Sequence, residues 1–352
     1  MDLTGAELSR GFWAEAVAPL LAAEMPRLRY AAGRFGTGSD VLGLDDAMSR
    51  DHDWGCRLAV LVDSDERDAV PTALELFEQR LPASYRGHPV RFPLTWDASA
   101  SHRVEVATVG EFAAGRLGAD PVRGLTVLEW LTLTGQSVLE VTAGPVFTDG
   151  TSELERVRSL LRWYPPDVER YVLAAGWQRV SQRLPFVGRT ADRGDELGSR
   201  LLCAGLAGDL MWLAFTLSRR WPPYEKWRGV VFRDLPVASS LSDHLLVSVT
   251  AGGWREREAA LCAGIEVLTS LQRSAGLPAP PAGVVPFHDR PYRGLNDELA
   301  AGLLAGITDQ DVAVLPARVG CVDRWADSVD VLASSSRRAG VRPAYLAWMS
   351  AG

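Results

Sequence analysis

The chain has 352 residues, 47% hydrophobic and 23% charged, with 33 Gly and 21 Pro, so it can bury at least one sizeable core and is neither a disordered tail nor a disulfide miniprotein. A net charge of −7 argues against a generic nucleic-acid binder, because phosphate neutralisation needs a basic surface, and leaves room only for a local basic pocket. The cations are unevenly divided: 36 are Arg and one is Lys, Lys226, a skew that makes the retained Lys a residue to follow.

Residues 3–25 carry Leu8, Phe12, Ala16 and Leu20 at helical spacing, up to the breaker Pro26. A short strand is predicted at 28–32, followed by a glycine-rich turn over 33–39. The segment 51–63, DHDWGCRLAVLVD, reads as a strand entering a core, 66–81 as a helix, and 103–109, RVEVATV, as a half-buried strand. These elements predict a small α/β domain over 1–118. From 119 the pattern turns helical, with 3.6-residue periods at 125–142, 152–163, 167–184, 196–220 and 254–275, which predicts a mainly helical domain over 119–276. The stretch LPAPPAGVVP, 277–286, opens a proline-rich connector and a C-terminal helical extension to 352, with helices near 295–307, 309–313 and 323–338. The expected fold class is α+β, a small mixed-sheet domain before a helical one.

Cys56, Cys203, Cys262 and Cys321 are widely spaced, form no Cys-x-x-Cys pair and read as reduced packing residues of a cytoplasmic protein. Asp2 and Glu7 at the N-terminus do not make the basic start of a signal peptide. The most membrane-like segment, 201–218, carries Asp209 at its middle and reads better as a buried helix. A carboxylate there needs a buried partner, for which Arg158 and Arg200 are candidates.

The chemistry concentrates in 36–55, GTGSDVLGLDDAMSRDHDWG. Gly38 and Ser39 are followed, after 11 residues, by Asp51 and Asp53. On a strand, side chains two apart share a face, so two carboxylates roughly 7 Å apart would repel by roughly 2 to 3 kcal/mol at an effective dielectric near 20. A divalent cation with oxygen preference relieves that repulsion. The Gly38 and Ser39 amides can cradle phosphate oxygens. Glu105, outward-facing in Val-Glu-Val, can complete a metal site, with Asp97 as its rival for third acid. His52, between the two aspartates, is a packed histidine, a partner orienting a carboxylate or the mark of a repurposed site.

Gly-Ser, a spacer, Asp-x-Asp and a later strand acid resemble the nucleotidyltransferase superfamily. The closer likeness is to an uncharacterised bacterial nucleotidyltransferase-like group with a domain of unknown function, carried by GSDVLGLDDAMSRDHDWG (38–55), PPYEKW (222–227), HDRPY (288–292) and VDRWADSVDVL (322–332). In architecture the chain is also similar to aminoglycoside nucleotidyltransferases. The resemblance implies a nucleotidyltransferase-type first domain in which Asp51, Asp53 and Glu105 are catalytic and hold Mg²⁺, as one ion or two, while Gly38 and Ser39 hold the triphosphate. It implies an NTP as co-substrate and a small hydroxylated acceptor as partner; the sequence itself points to no membrane partner, and its acidic balance argues against nucleic acid. A nucleotide-binding or protein-interaction module that has lost transfer activity is the alternative.

Lys226, in PPYEKW, supplies a compact ammonium suited to a triphosphate where Arg would serve for a generic charge. Tyr224 beside it can stack on a nucleobase, as can Trp212, Trp221 or Trp227, although aromatics at such spacing are more often core. His88, His102, His244 and His288 show no metal spacing. No dinucleotide fingerprint, P-loop or Gly-x-Ser-x-Gly elbow is present, which disfavours Rossmann oxidoreductases, P-loop kinases and α/β-hydrolases.

Overall fold

The first helix, Gly5–Phe12, starts where Thr4 and Glu7 close a reciprocal capping box, and a π-helical turn, Trp13–Val17, carries it into Ala18–Glu24. In the computed structural model, which describes residues 3–95 and 97–351, the chain is α+β, helices with small sheets. It divides into two compact units, both discontinuous: Met1–Leu125 with Ser137–Arg162 and Ala333–Ala339, and Thr126–Gln136 with Trp163–Leu332 and Gly340–Gly352.

The first unit is built on a four-stranded mixed sheet, β1 (Tyr30–Gly33), β2 (Arg57–Val62), β5 (Arg103–Thr108) and β6 (Val146–Asp149), ordered β5-β2-β1-β6. Between β2 and β5 lie the small pair β3 (Ser84–Tyr85) and β4 (His88–Pro89). β2 runs parallel to β5 and antiparallel to β1, and all six of its residues are buried, which is why residues 58–62 read as an unbroken apolar run after Arg57. Leu8, Phe12, Leu21, Phe77, Val104 and Val106 pack with Leu58 and Val60 in one core. β5 alternates, with Val104 and Val106 buried and Glu105 exposed between them.

The second unit is helical. The long helix Glu196–Leu217 packs against Pro166–Arg183, Ala238–Thr250 and Trp254–Ser274. At its centre the Trp177 indole donates to Gln272 Oε1 over 2.6 Å, both side chains fully buried. A hairpin of β7 (Val284–Pro286) and β8 (Arg293–Leu295) pairs antiparallel within the proline-rich region. Among the described residues Glu196–Leu217 is the one helix long and apolar enough to cross a membrane, and 56% of its apolar window is buried inside the molecule.

The consecutive division at 118 and 276 is not the one the packing makes. Residues 137–162 return to the first unit because β6 completes its sheet on β1, and most of 277–352 belongs to the second unit, where Glu298–Ala305 packs on Pro166–Arg183. The strand expected from residue 51 begins only at Arg57, because Asp53 (φ 54°) and Gly55 (φ 150°) adopt backbone conformations no strand contains. Helices Glu225–Phe232, Ala238–Thr250 and Arg342–Ala351 lie where no helix was expected. All four cysteines are free thiols. Asp209 is buried with an arginine partner, but the partners are Arg179, Arg183 and Arg324 rather than Arg158 or Arg200. Arg158 instead donates to the Thr142 carbonyl, and Arg200 pairs with Glu196.

Candidate functional site

β1 ends at Gly33 and the chain enters a turn held from beneath by Arg34. This guanidinium, 1% exposed, clamps Asp40, 4% exposed, through Nε–Oδ2 at 2.6 Å and Nη2–Oδ1 at 2.8 Å. It also donates to the carbonyls of Phe35 at 2.6 Å and Thr37 at 2.7 Å, so one side chain fixes both ends of residues 35–40. Gly38, at φ 133°, is required here: a Cβ would stand 2.2 Å from Asp40 Oδ1 and 2.6 Å from Arg34 Nη2. With carbonyls and side chains committed inward, the N–H groups of Thr37, Gly38, Ser39 and Asp40 donate to no acceptor among the described residues. Unengaged amides in succession are the kind of backbone donors that anion-binding turns use.

Arg57, the first residue of β2, is the second buried cation of this region. Its Nη1 donates to the Asp53 carbonyl at 2.6 Å and its Nη2 to Thr37 Oγ1 at 3.0 Å, joining the Asp-x-Asp segment to the glycine turn. Burial above all, and then Arg34, pushes this guanidinium down to about 10, against the opposing pull of Asp40, Asp53 and Glu105. Glu105 is taken by Arg116 in a bidentate pair, Nη1–Oε1 at 3.0 Å and Nη2–Oε2 at 2.7 Å. Arg116 lies 3.6 Å from the Phe112 ring centroid and borders Gly36, where a Cβ would meet its Nη2 at 3.0 Å.

Thr37 and Asp53 thus meet one buried Arg57 by hydrogen bonds, and Asp40, Asp53 and Glu105 act on it by charge. Asp51 is not gathered with them: it is exposed and its Oδ1 lies 2.5 Å from His52 Nδ1. The two aspartates share no strand face, because both precede β2 in a loop. Asp53 spends Oδ1 on the Thr95 amide at 2.7 Å. Asp97 is committed to structure, accepting from Ser99 and pairing with Arg103 at 2.7 Å; the Ser99 hydroxyl, then Arg103, hold its carboxyl down to about 2. Asp45 and Asp46 serve backbone amides, of Gly5 and of Met48 and Ser49.

Among the described residues no three His, Cys, Asp or Glu side chains come together as a metal would need. The three acids therefore do not form a preformed two-metal centre. Competing partners also hold part of the set: Arg116 takes both oxygens of Glu105, while His52 and the Thr95 amide each take one oxygen, of Asp51 and Asp53.

Lys226 and Tyr224 belong to the second unit, and both are exposed. Lys226 Nζ lies 4.7 Å from the Trp227 ring centroid, and the Tyr224 amide donates to Gln136 Oε1 at 3.0 Å. Sequence reasoning missed Arg34, Arg57 and Arg116. The signal was present for the first two, an arginine at the junction of β1 with a glycine turn and another opening an apolar strand, positions where a charge must be paired to be tolerated.

Residues 130–228 are similar to a family described as a domain of unknown function, DUF4037, a stretch that excludes the glycine turn and the Asp-x-Asp segment. No curated protein matches the chain. A solved structure that matches is the crystal structure of a nucleotidyltransferase-like protein from Exiguobacterium sibiricum 255-15, 16% identical over 77% of each chain with a TM-score of 0.35, a superposition too loose to carry an argument.

Proposed function

We propose that the first unit binds a nucleoside triphosphate, with its phosphates on the turn 36–40, and that the protein is a nucleotidyltransferase passing the nucleoside monophosphate to a hydroxyl of a small acceptor. The observation that carries the reading is the row of four unengaged amides, Thr37 to Asp40, on a turn clamped by the buried Arg34–Asp40 pair. The Gly38-Ser39 and Asp51-x-Asp53 phrases support the same class. In this reading Arg34 keeps the turn preorganised, Arg57 supplies positive charge beneath it, and Asp53 is the carboxylate tied to that charge.

The local charges are even, Arg34, Arg57 and Arg116 against Asp40, Asp53 and Glu105. A polyanionic triphosphate therefore arrives uncompensated, which favours magnesium travelling with the nucleotide, an ion that usually takes one or two carboxylates together with substrate phosphates. No step of transfer is assigned to it, since the acids do not form its cage.

The engagement of Glu105 by Arg116 favours a second reading, nucleotide binding without transfer. Calorimetric titration with ATP and GTP, with and without Mg²⁺, beside NTP consumption against an acceptor panel, separates the two. Under transfer, Asp51→Asn with Asp53→Asn abolishes turnover and Glu105→Gln lowers it. Binding that is unchanged in EDTA, with no turnover on any acceptor, establishes the second reading. Absence of nucleotide binding in the unaltered protein removes both.

A further inference from the structure

The second unit holds a cluster whose charges do not balance. Arg179 and Arg183, one turn apart on Pro166–Arg183, and Arg324, on the short helix Val322–Trp325, all converge on Asp209 of Glu196–Leu217. Arg179 Nε lies 3.0 Å from Oδ1, Arg183 Nη1 lies 2.5 Å from Oδ2, and Arg324 Nη2 also donates to Oδ1. Asp323 adds a second, more distant negative charge and spends its own Oδ2 on the Gly135 amide at 2.8 Å.

A guanidinium has five N–H donors. Among the described residues each of these three makes a single hydrogen bond, to Asp209. Two polar atoms buried in the cluster have no partner at all, Arg324 Nε and Trp212 Nε1, and Arg324 lies over the Trp212 ring at 4.7 Å. Burying a donor without an acceptor is costly, so a native cluster with this many spare donors calls for an acceptor-rich group. Gly205 is small for the same arrangement: a Cβ there would stand 2.1 Å from Arg183 Nη2. Exposure rises from Asp209 at 5% through Arg324 at 11% and Arg183 at 25% to Arg179 at 42%, so the cluster opens to solvent on one side.

We propose that Arg179, Arg183 and Arg324 form an anion-binding site, completed by Trp212 Nε1, for a phosphate group of a small molecule. Planar guanidinium forks match phosphate oxygens two at a time, and a dianion meets three cations that one buried carboxylate leaves undercompensated. Asp209 orients the three forks and shares them with the ligand. The site is independent of the nucleotide reading of the first unit, and it lies largely within the residues shared with the DUF4037 family, 130–228.

The test uses the full chain and inorganic phosphate as the probe, measured by calorimetry and by thermal shift at constant ionic strength. Phosphate is expected to bind and to raise the melting temperature. Arg183→Gln is expected to weaken that binding about tenfold or more, as loss of one charged hydrogen bond does, and Arg179→Gln, the more exposed change, less. The arginine variants are compared with the parent in a Gly38→Ala background as well, where the turn of the first unit is disrupted, so that phosphate held at that turn does not enter the reading. Overturning results are no phosphate binding in the Gly38→Ala background, or the same affinity there with and without the arginine changes. Arg179→Gln keeps two of the three cations on Asp209, so it serves where Arg183→Gln does not fold.

Discussion

The two buried arginine–aspartate centres of this protein obey opposite arithmetic. In the first unit, Arg34 meets Asp40 in a two-bond fork and sends its other donors to the Phe35 and Thr37 carbonyls, so a single cation closes a single loop. In the second, three cations share one carboxylate and most of their donors are left over. A matched pair is a structural fastening, whose function is whatever the fastened backbone presents. An unmatched cluster presents the charges themselves. Counting donors against acceptors therefore separates residues that build a site from residues that would touch a ligand.

The sharpest way to break the comparison is at the matched pair. Asp40→Ala strands a guanidinium that is 1% exposed, and breaking such a buried pair costs about 3–5 kcal/mol, a large share of any domain's stability. Urea denaturation followed by circular dichroism reads this directly. A loss under about 1 kcal/mol would mean that Arg34 finds other acceptors and that the pair does not fasten the turn.

Asp209→Asn is the counterpart in the second unit, with a smaller expected loss of roughly 2 kcal/mol, because two of the three arginines it leaves behind, Arg179 and Arg183, reach solvent. Its distinguishing feature is the response to anion. With the competing carboxylate gone, phosphate should bind more tightly than to the parent and return part of the lost stability, a change that thermal shift measures at increasing phosphate. No such recovery should occur in Asp40→Ala, where charges were matched to begin with. Equal recovery in both variants would erase the distinction between the two centres.

Gly38→Ala ranks next, at about 1–3 kcal/mol, since the new Cβ meets both members of the fastening pair and φ 133° disfavours any side chain. Nucleotide affinity should fall far more than stability does, as judged by ATP titration of protein that is still folded. Retained affinity would detach the Thr37–Asp40 amides from ligand binding.

Much of the architecture was legible in the chain. The apolar run of β2, the alternation of β5 and the long helices Pro166–Arg183, Glu196–Leu217 and Trp254–Ser274 follow from periods that packing enforces. Helix Ala238–Thr250, rich in Ser and Val, has weak local preference and owes its state to burial of Leu241 and Leu245 against its neighbours. The candidate site was legible as a set of acids and glycines but not as a geometry. Asp51 and Asp53 were expected on a strand because the apolar run after them is one, whereas the backbone at Asp53 and Gly55 delays that strand to Arg57. The arginines were hard to single out for a different reason. Among 36 of them only Arg34 and Arg57 stand at positions the strand pattern marks, and partner choice at Asp209 depends on three helices meeting in space.

The smallest effect expected tests the same donor count at a carboxylate near the surface. Asp167 Oδ2 accepts from the Thr308 amide and hydroxyl and from the Asp309 amide, at 2.8, 3.0 and 2.8 Å, while Oδ1 pairs with Arg170 at 2.5 Å. The amides of Asp309 and then Thr308 are the main cause that holds this carboxyl down to about 2, from an ordinary 3.8. A carboxyl whose folded value lies below its unfolded one binds fewer protons when folded. Its stabilising contribution is thus complete above about pH 4 and is lost as pH falls towards 2. Hydrogen exchange should show the Thr308 and Asp309 amides losing protection across that interval, while Asp167→Asn shows lowered protection at neutral pH and little further change. Protection that stays flat down to pH 2 in the parent would mean that Asp167 is not matched to these donors, and the donor count would then fail where it is easiest to read.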